Sequence, residues 1–221
     1  MNTKTEQNGA WIIRALSHPE YLQVIDPDLQ KLCYGSNQVW FRTRWRRLSG
    51  CGPSAAANIL FYQDKKENTL CRGNTKQDLL RYMETAWETI TPERTGISSA
   101  ELFCKKLRLY EKRSGRKIVY NVLNIPPTSH PALRAVVDFV ASALENDFPV
   151  AFLNLCNGQE RRLDKWHWVT IVSISYSEAL GHVTAEIYDA GESKEIDLKL
   201  WLETTKKGGG FVYFKAQAPG N

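Results

Sequence analysis

The 221-residue sequence predicts an α+β protein, in which a helical first half packs on a mostly antiparallel β-sheet built from the second half. Between residues 51 and 115 the apolar residues recur at helical spacing, whereas after residue 117 most apolar runs are short and β-rich. A hydrophobic content of 43% and seven tryptophans fit a chain that buries a sizeable core. Helices first and strands later predict segregated layers.

Composition narrows the classes of function. The net charge of +5 permits acidic partners, but no repeated base-stacking aromatic pattern is present, so no nucleic-acid partner is expected. The five cysteines are widely spaced and form no CxxC pair, which predicts free thiols in a reducing compartment and no metal site. Residues 1–10 are polar and no run approaches a membrane span, so the sequence predicts a cytoplasmic protein with no membrane segment and no cofactor.

The first thirty residues predict an N-terminal arm that lies on a domain spanning residues 31–221. Residues 10–16 fit either a short helix or a strand. The pairs His18-Pro19 and Asp26-Pro27 then interrupt any regular pattern.

The predicted elements of the domain follow from caps and periodicity. Thr75 with Asp78, and the capping-box spacing from Ser98 to Glu101, mark helix starts, and Gly115 marks a helix end. These signals predict helices over residues 51–62, 75–89 and 98–115, with a further helix over 131–146. The strands predicted by alternation and apolar runs cover residues 117–123, 149–155, 167–176, 182–188, 195–200 and 211–214.

The segment from Asn37 to Arg47 alternates apolar and basic residues. Period two predicts an extended segment with one apolar and one basic face. Its arginines would attract an acidic substrate or partner; the alternative is a solvated edge with local ion pairs.

Cys51 lies between Gly50 and Gly52 at a predicted helix start, followed by Pro53 in the first turn. The positive end of the helix dipole stabilises a thiolate there, and flanking glycines let a substrate backbone approach. The pattern therefore predicts a cysteine nucleophile. The alternative is a small buried residue in a tight turn.

A cysteine nucleophile needs a base, and His167 is the best-placed histidine. It begins a strong predicted strand and is flanked by Trp166 and Trp168, which are candidates for the walls of a substrate groove. The alternative is a structural histidine at a core boundary. The other histidines lie in loops before proline or at a turn: His18, His130 and His182.

The predicted hairpin that follows His167 identifies an acid to orient the base. If its turn is centred on the connecting loop, Val169 lies opposite Asp189, and Asp189 shares a face with His167. We expect its carboxylate to accept the imidazole Nδ1–H and to direct the other ring nitrogen toward the cysteine. A one-residue slip would turn Asp189 away. Glu192 and Asp164 are weaker alternatives, and Asp189 as a turn former is the structural reading.

These motifs resemble those of the papain-like cysteine peptidase superfamily, in particular the bacterial branch with the double-glycine bacteriocin-leader peptidases. The residues that carry the resemblance are Gly50-Cys51-Gly52-Pro53 with the alanines and Asn58, then Trp166-His167-Trp168-Val169, then Tyr188-Asp189. The resemblance covers roughly residues 37–214. It implies a papain-like fold, a Cys51 nucleophile, a His167 base, Asp189 as its orienting acid and a peptide or small amide substrate.

One position departs from the family pattern. Such enzymes usually carry a glutamine six residues before the cysteine, whose amide binds the oxyanion, and here that position is Trp45. Gln38, thirteen residues upstream, is the candidate donor if the intervening residues form a longer loop. The candidates for the substrate groove are Trp45, Gly50, Gly52, Trp166 and Trp168.

Three functions remain open from the sequence. The first is a thiol hydrolase that cuts a peptide or amide bond through an acyl-enzyme. The second is a transglutaminase-like acyltransferase with the same triad. The third is a papain-like binding module of weak or no activity, which the replacement of the glutamine by Trp45 favours.

Overall fold

A computed structural model of the chain describes residues 10–67, 73–93 and 96–217. Its α-helices are α1 (Arg44–Ser49), α2 (Cys51–Lys66), α3 (Lys76–Trp87), α4 (Ala100–Ser114), α5 (Leu133–Glu145) and α6 (Leu198–Thr204). Its strands are β1 (Trp11–Ala15), β2 (Gln23–Asp26), β3 (Lys31–Tyr34), β4 (Lys117–Ile125), β5 (Val150–Asn154), β6 (His167–Ser177), β7 (Val183–Asp189), β8 (Glu192–Asp197) and β9 (Gly209–Gln217).

Seven of these strands form one sheet. Six follow the order β4-β9-β5-β6-β7-β8, and the seventh, β1, pairs with the second half of β6. Every pairing among the described strands of this sheet is antiparallel. Strands β2 and β3 form a separate hairpin. The predicted α+β class, with helices on a mostly antiparallel sheet, is confirmed.

Helix α2 is the central element of the helical layer. Small residues and a proline open it, and every residue from 52 to 64 is buried. Gly50 precedes it because a Cβ there would lie 2.5 Å from both the backbone oxygen of Arg46 and the ring of Phe41. The first glycine of the Cys51 motif is therefore required by packing at the junction of α1 and α2.

The sheet separates two hydrophobic clusters, as the alternation of strand side chains dictates. Phe152 and Val169 belong to the cluster that includes α5 and α6. Leu153 and Trp168, their neighbours along the same strands, belong to the cluster that includes α3 and α4. Because both sheet faces are covered, the strands can be apolar on both sides.

The N-terminal residues depart from the predicted arm. Strand β1 extends the main sheet, with Trp11 opposite Ser177 and Ala15 opposite Ser173. The predicted domain boundary after residue 30 falls inside the β2–β3 hairpin, where Asp26 pairs with Lys31. These residues are thus part of the sheet structure.

The prediction of an extended segment over residues 37–47 is wrong. A 3-10 turn covers Gln38–Trp40 and helix α1 follows. The reason is local capping: Asn37 accepts a hydrogen bond from the backbone of Val39 at 3.0 Å, and Thr43 accepts one from the backbone of Arg46 at 3.3 Å. Side-chain caps outweigh the period-two pattern.

Two smaller boundary predictions are also corrected. The strand predicted over residues 195–200 ends at Asp197, whose side chain accepts a hydrogen bond from the backbone of Leu200 at 2.8 Å and so begins α6. The helix predicted from Ser98 is capped by Ser99 instead, through the backbone of Leu102 at 3.0 Å. Cys71, one of the predicted free thiols, lies outside the described residues.

Among the described residues, no helix combines the length and the apolar character that a membrane crossing requires.

Candidate active site

Cys51 is the first residue of α2, and its side chain lies in a pocket where that helix meets β6. The residue is half-buried. The first backbone N–H groups of a helix have no partner within the helix, so the Cys51 N–H is available to an oxygen held in this pocket. The same wall of the pocket contains Ser54, Ala55 and Asn58, from the next two turns of α2.

His167, the first residue of β6, lies between Cys51 and Asp189. Its Nε2 donates a hydrogen bond to Asp189 Oδ1 at 2.7 Å, and the ring lines the same pocket as Cys51, whose side chain also acts on the pKa of the ring. Since Nε2 is taken by the carboxylate, Nδ1 is left for the cysteine. The predicted pair of partners is found, but the ring nitrogens exchange roles relative to the expectation.

The electrostatics of His167 follow from these two partners. Burial lowers its pKa, but the hydrogen bond with Asp189 and the neighbouring Cys51 outweigh burial and raise the pKa to about 10. With these partners the ring favours its protonated form. It is therefore equipped to hold a negatively charged sulfur and to donate a proton.

The pairing near the β6–β7 turn does not by itself place Asp189 on the face of His167. Tyr176 pairs with Val183 there. Continued without interruption, that register would set Asp189 opposite Thr170. Because side chains alternate, Thr170 points to the face opposite to His167, and the carboxylate would be lost to the site.

A β-bulge at Val172 restores the required register. This residue is skipped between the paired residues on either side of it, and beyond it Thr170 pairs with Tyr188. One step further, Asp189 is opposite Val169. The hairpin prediction therefore holds at the site only because one unpaired residue compensates a one-residue offset in the turn.

Asp189 is buried, with its side chain 2% exposed, and both of its oxygens are used. Oδ1 accepts from His167, and Oδ2 accepts from Lys194 Nζ at 2.8 Å. Burial pushes the pKa of Asp189 upward, but hydrogen bonds from His167 and Lys194 prevail and hold it below its ordinary value of 3.8. The carboxylate is thus charged and fixed in orientation.

Lys194 was missed by reasoning from sequence, although a signal for it exists. Ala190 and Gly191 both have positive φ and form a two-residue turn, so Asp189 pairs with Glu192 and Ile187 pairs with Lys194. Counting across this turn puts the lysine on the face of the carboxylate. The weaker candidate acids Glu192 and Asp164 form no hydrogen bond with the histidine in the described part of the chain.

Gln38 lines the same pocket, opposite the cysteine helix. Its segment is fastened to α2: the backbone N–H of Ser36 donates to Asn58 Oδ1 at 2.8 Å, and Ser36 Oγ donates to the backbone oxygen of Ser54 at 3.1 Å. The residues between Gln38 and the cysteine form the 3-10 turn and α1, which is the longer connection that the sequence required for this glutamine to reach the site.

Two polar atoms in the pocket wall have no partner among the described residues. They are Gln38 Oε1 and Ser54 Oγ, both buried. Buried polar atoms without a partner are uncommon and costly. Their presence beside Cys51 and His167 is consistent with a pocket that receives polar atoms of a bound molecule.

Of the residues predicted to line a substrate groove, some are buried in the core and others are exposed at the surface. Gly52 packs against Ile97, since a Cβ there would lie 2.7 Å from its Cδ1. Trp168 lines the pocket, but it is buried and its indole donates to the backbone oxygen of Ile97 at 2.7 Å. Trp45 and Trp166 are about half exposed, and Lys207 Nζ lies 4.7 Å from the Trp166 ring centre.

Comparison with solved structures finds a match to the crystal structure of UfSP from C. elegans, a papain-like cysteine protease. The two share 11% sequence identity, the match covers 98% of this chain and 36% of the UfSP chain, and the TM-score is 0.51. No protein-family model and no curated protein matches the sequence. The chain therefore has a papain-like α+β fold.

Replacing Asp189 by Asn should lower the pKa of His167, because the strongest contact that raises it becomes neutral. NMR titration of the histidine ring measures the change directly. Glu192→Gln, in the exposed neighbouring carboxylate, is the matched control and should leave the titration as it is in the wild type. The contribution of His167 to stability is fully present below about pH 6.5 and is lost as the pH rises toward 10. An unchanged titration in Asp189→Asn would contradict the assigned pairing.

Replacing Lys194 by Met should lower the free energy of unfolding by about 1–3 kcal/mol, because a hydrogen bond to a buried carboxylate is lost. Urea unfolding at neutral pH measures the loss. The loss should persist down to about pH 4, since the Asp189 pKa lies below 3.8 and the carboxylate stays charged. Lys31→Met, which removes an exposed ion pair with Glu192, should cost less than about 1 kcal/mol. Equal losses would show that Lys194 is an ordinary surface cation.

Proposed function

We propose that the protein is a cysteine hydrolase that cuts a peptide or small amide bond, with Cys51 as nucleophile, His167 as general base and acid, and Asp189 as the orienting acid. The observation that carries the proposal is that Cys51, His167 and Asp189 line one pocket, with His167 hydrogen-bonded to Asp189 at 2.7 Å. The papain-like fold supports the same reading. We further propose that the protein is related to the bacterial double-glycine leader peptidases, because residues 50–58 resemble theirs.

In the proposed reaction, the Cys51 sulfur attacks the carbonyl carbon while His167 holds the thiol proton. Collapse of the tetrahedral intermediate breaks the C–N bond, and His167 passes that proton to the leaving amine. Water then loses a proton to His167 and attacks the thioester. Collapse of this second intermediate breaks the C–S bond and releases the acid, and the proton kept by His167 restores the starting pair with the sulfur.

Two donors are assigned to the oxyanion of the intermediate. The Cys51 backbone N–H lies at the start of α2, where it has no helical partner. The Gln38 side-chain amide is the second, because the residue lines the pocket and its N–H group is a donor that an oxyanion can accept from. With Gln38 as donor, Trp45 is not needed to bind the oxyanion. The absence of a glutamine at position 45 then no longer favours an inactive binding module.

Acyl transfer to an amine remains the alternative, since the same thioester can be opened by an amine in place of water. The substrate is proposed to be a peptide, without nucleic acid or cofactor. The four described cysteines Cys33, Cys51, Cys104 and Cys156 are free thiols, in keeping with a proposed location in the cytoplasm.

Cys51 should react with iodoacetamide at mildly acidic pH at least about tenfold faster than Cys33 and Cys104. Burial raises the pKa of both reference thiols, that of Cys104 to about 12. Mass spectrometry of the labelled peptides resolves each site. His167→Ala should slow labelling of Cys51, since the protonated ring next to it is removed.

Cys156 provides the internal control for this experiment. Backbone hydrogen bonds from Lys206 and Gly158 lower its pKa, so it should label as well, but at a rate that His167→Ala does not change. If Cys51 labels no faster than the two buried thiols, an activated nucleophile is ruled out.

Gln38→Ala should lower kcat by about 10²–10³ with little change in KM, because an oxyanion donor acts in the transition state. Release of aminomethylcoumarin from a pool of peptide substrates supplies the assay. Added methylamine distinguishes an amide product from a carboxylic acid. Gln159→Ala, in an exposed loop, is the control and should retain wild-type turnover. A Gln38→Ala variant with unchanged kcat would remove this residue from the oxyanion site.

A further inference from the structure

The residues between the oxyanion candidate Gln38 and the nucleophile carry an exposed surface that combines arginines with large apolar side chains. Trp45 is 48% exposed, Val39 56% and Leu48 68%. We call the α1 surface the side chains of Val39, Arg42, Arg44, Trp45, Arg47 and Leu48, all of them exposed.

The arginines of this surface make one long contact within the fold: Arg47 Nη2 donates to the backbone oxygen of Arg42 at 3.4 Å. Arg46 alone turns inward, where it forms an ion pair with Glu84 and lies 5.1 Å from the ring centre of Trp87. Arg42, Arg44 and Arg47 have no ion pair within the described ranges 10–67, 73–93 and 96–217. Local ion pairs, the alternative that the sequence left open, therefore account for one arginine of four.

Covalent geometry keeps this surface close to the candidate active site. Val39 adjoins Gln38, so their Cα atoms are about 3.8 Å apart. Leu48 is three residues from Cys51, which limits their Cα separation to about 11 Å. An extended peptide advances about 3.3 Å per residue. A substrate held at Cys51 therefore reaches the α1 surface within about four residues of the bond to be cut.

We propose that the α1 surface binds an acidic, partly apolar segment of the peptide substrate, close to the scissile bond. This inference rests on the proposed function, because the bound peptide is a substrate only if the protein is a peptide hydrolase. Charge complementarity selects the partner: three guanidinium groups without an ion pair in the described chain pair with carboxylates, while Trp45, Val39 and Leu48 cover apolar side chains between them.

The loops that precede β6 and β9 also favour an acidic peptide as the partner. Lys165, Lys206 and Lys207 lie on the loops that lead into β6 and β9, beside Trp166 and His167. None of these lysines has an ion pair in the part of the chain that the structure describes. Against the exposed carboxylate of Asp164, these three lysines leave a net positive charge on the two loops, which favours an acidic segment there as well.

A membrane surface and a nucleic acid are less suited to this surface than a peptide. Helix α1 has six residues, far shorter than the helices that usually lie in a membrane interface. Trp45 is its one aromatic side chain, whereas single-strand binders offer successive stacking platforms.

Fluorescence anisotropy with the Cys51→Ala protein tests the inference without requiring turnover. The probes are two labelled peptides of equal length, one composed of glutamate and leucine and the other of glutamine and leucine. The glutamate peptide should bind about tenfold more tightly, and added salt should reduce the difference. Arg42→Gln, Arg44→Gln and Arg47→Gln combined should abolish it. Trp45→Ser should weaken binding of both peptides, since its contribution is apolar.

The matched control removes three other exposed cations from α4 and β4, through Lys105→Gln, Lys112→Gln and Lys117→Gln. It should retain the preference for the glutamate peptide. Equal losses in the two triple variants would show attraction to net charge alone and overturn the inference. Vesicles with anionic lipid, or a single-stranded oligonucleotide, that bind through the α1 surface more tightly than the glutamate peptide would overturn it as well.

The proposed function and this inference fail separately. If the glutamate peptide binds through the arginines but the wild-type protein cleaves no peptide, the surface stands and the hydrolase does not. If the wild type cleaves glutamine and glutamate peptides at equal kcat/KM and the arginine variants do likewise, the hydrolase stands and the surface does not.

Discussion

A single buried amide, that of Asn58, joins the parts that make the candidate site. Its Nδ2 donates to Thr170 Oγ1 at 2.9 Å, and its Oδ1 accepts from the backbone of Ser36. Asn58 lies seven helical residues after Cys51, about 10.5 Å along the axis. Thr170 lies three strand residues after His167, about 10 Å. The bond therefore fixes α2 against β6 at a similar distance along each element from Cys51 and from His167.

The charges of the site depend on how this framework buries them. Asp189 is withdrawn from water yet keeps its charge, since His167 and Lys194 each occupy one of its oxygens. That charge in turn supports a protonated His167 beside the cysteine. Removing one partner from such a buried set is costly, because the remaining charge is left without compensation. The set therefore acts as a unit, with Lys194 as the member at the surface.

The sequence predicted that His167 and Asp189 lie together, but the prediction agrees with the structure partly because two irregularities of the hairpin cancel each other. The strand alternation and the hairpin count led to His167 and Asp189, but the count assumed a regular ladder. The observed turn is offset by one residue, and the bulge at Val172 cancels the offset. Neither feature has a strong local signal: a bulge depends on the pairing of both strands, and valine fits a regular strand equally well.

The elements whose signals are local could be predicted from the amino-acid sequence. The small residues around Cys51, the cap at Thr75 and the alternation after His167 each depend on neighbours within a few positions. The tertiary structure alone decided which ring nitrogen meets Asp189, that Lys194 joins it, and that Gln38 reaches the pocket from thirteen residues upstream. Those outcomes are contacts between distant segments, and their geometry arises only when helix, sheet and hairpin have been packed together.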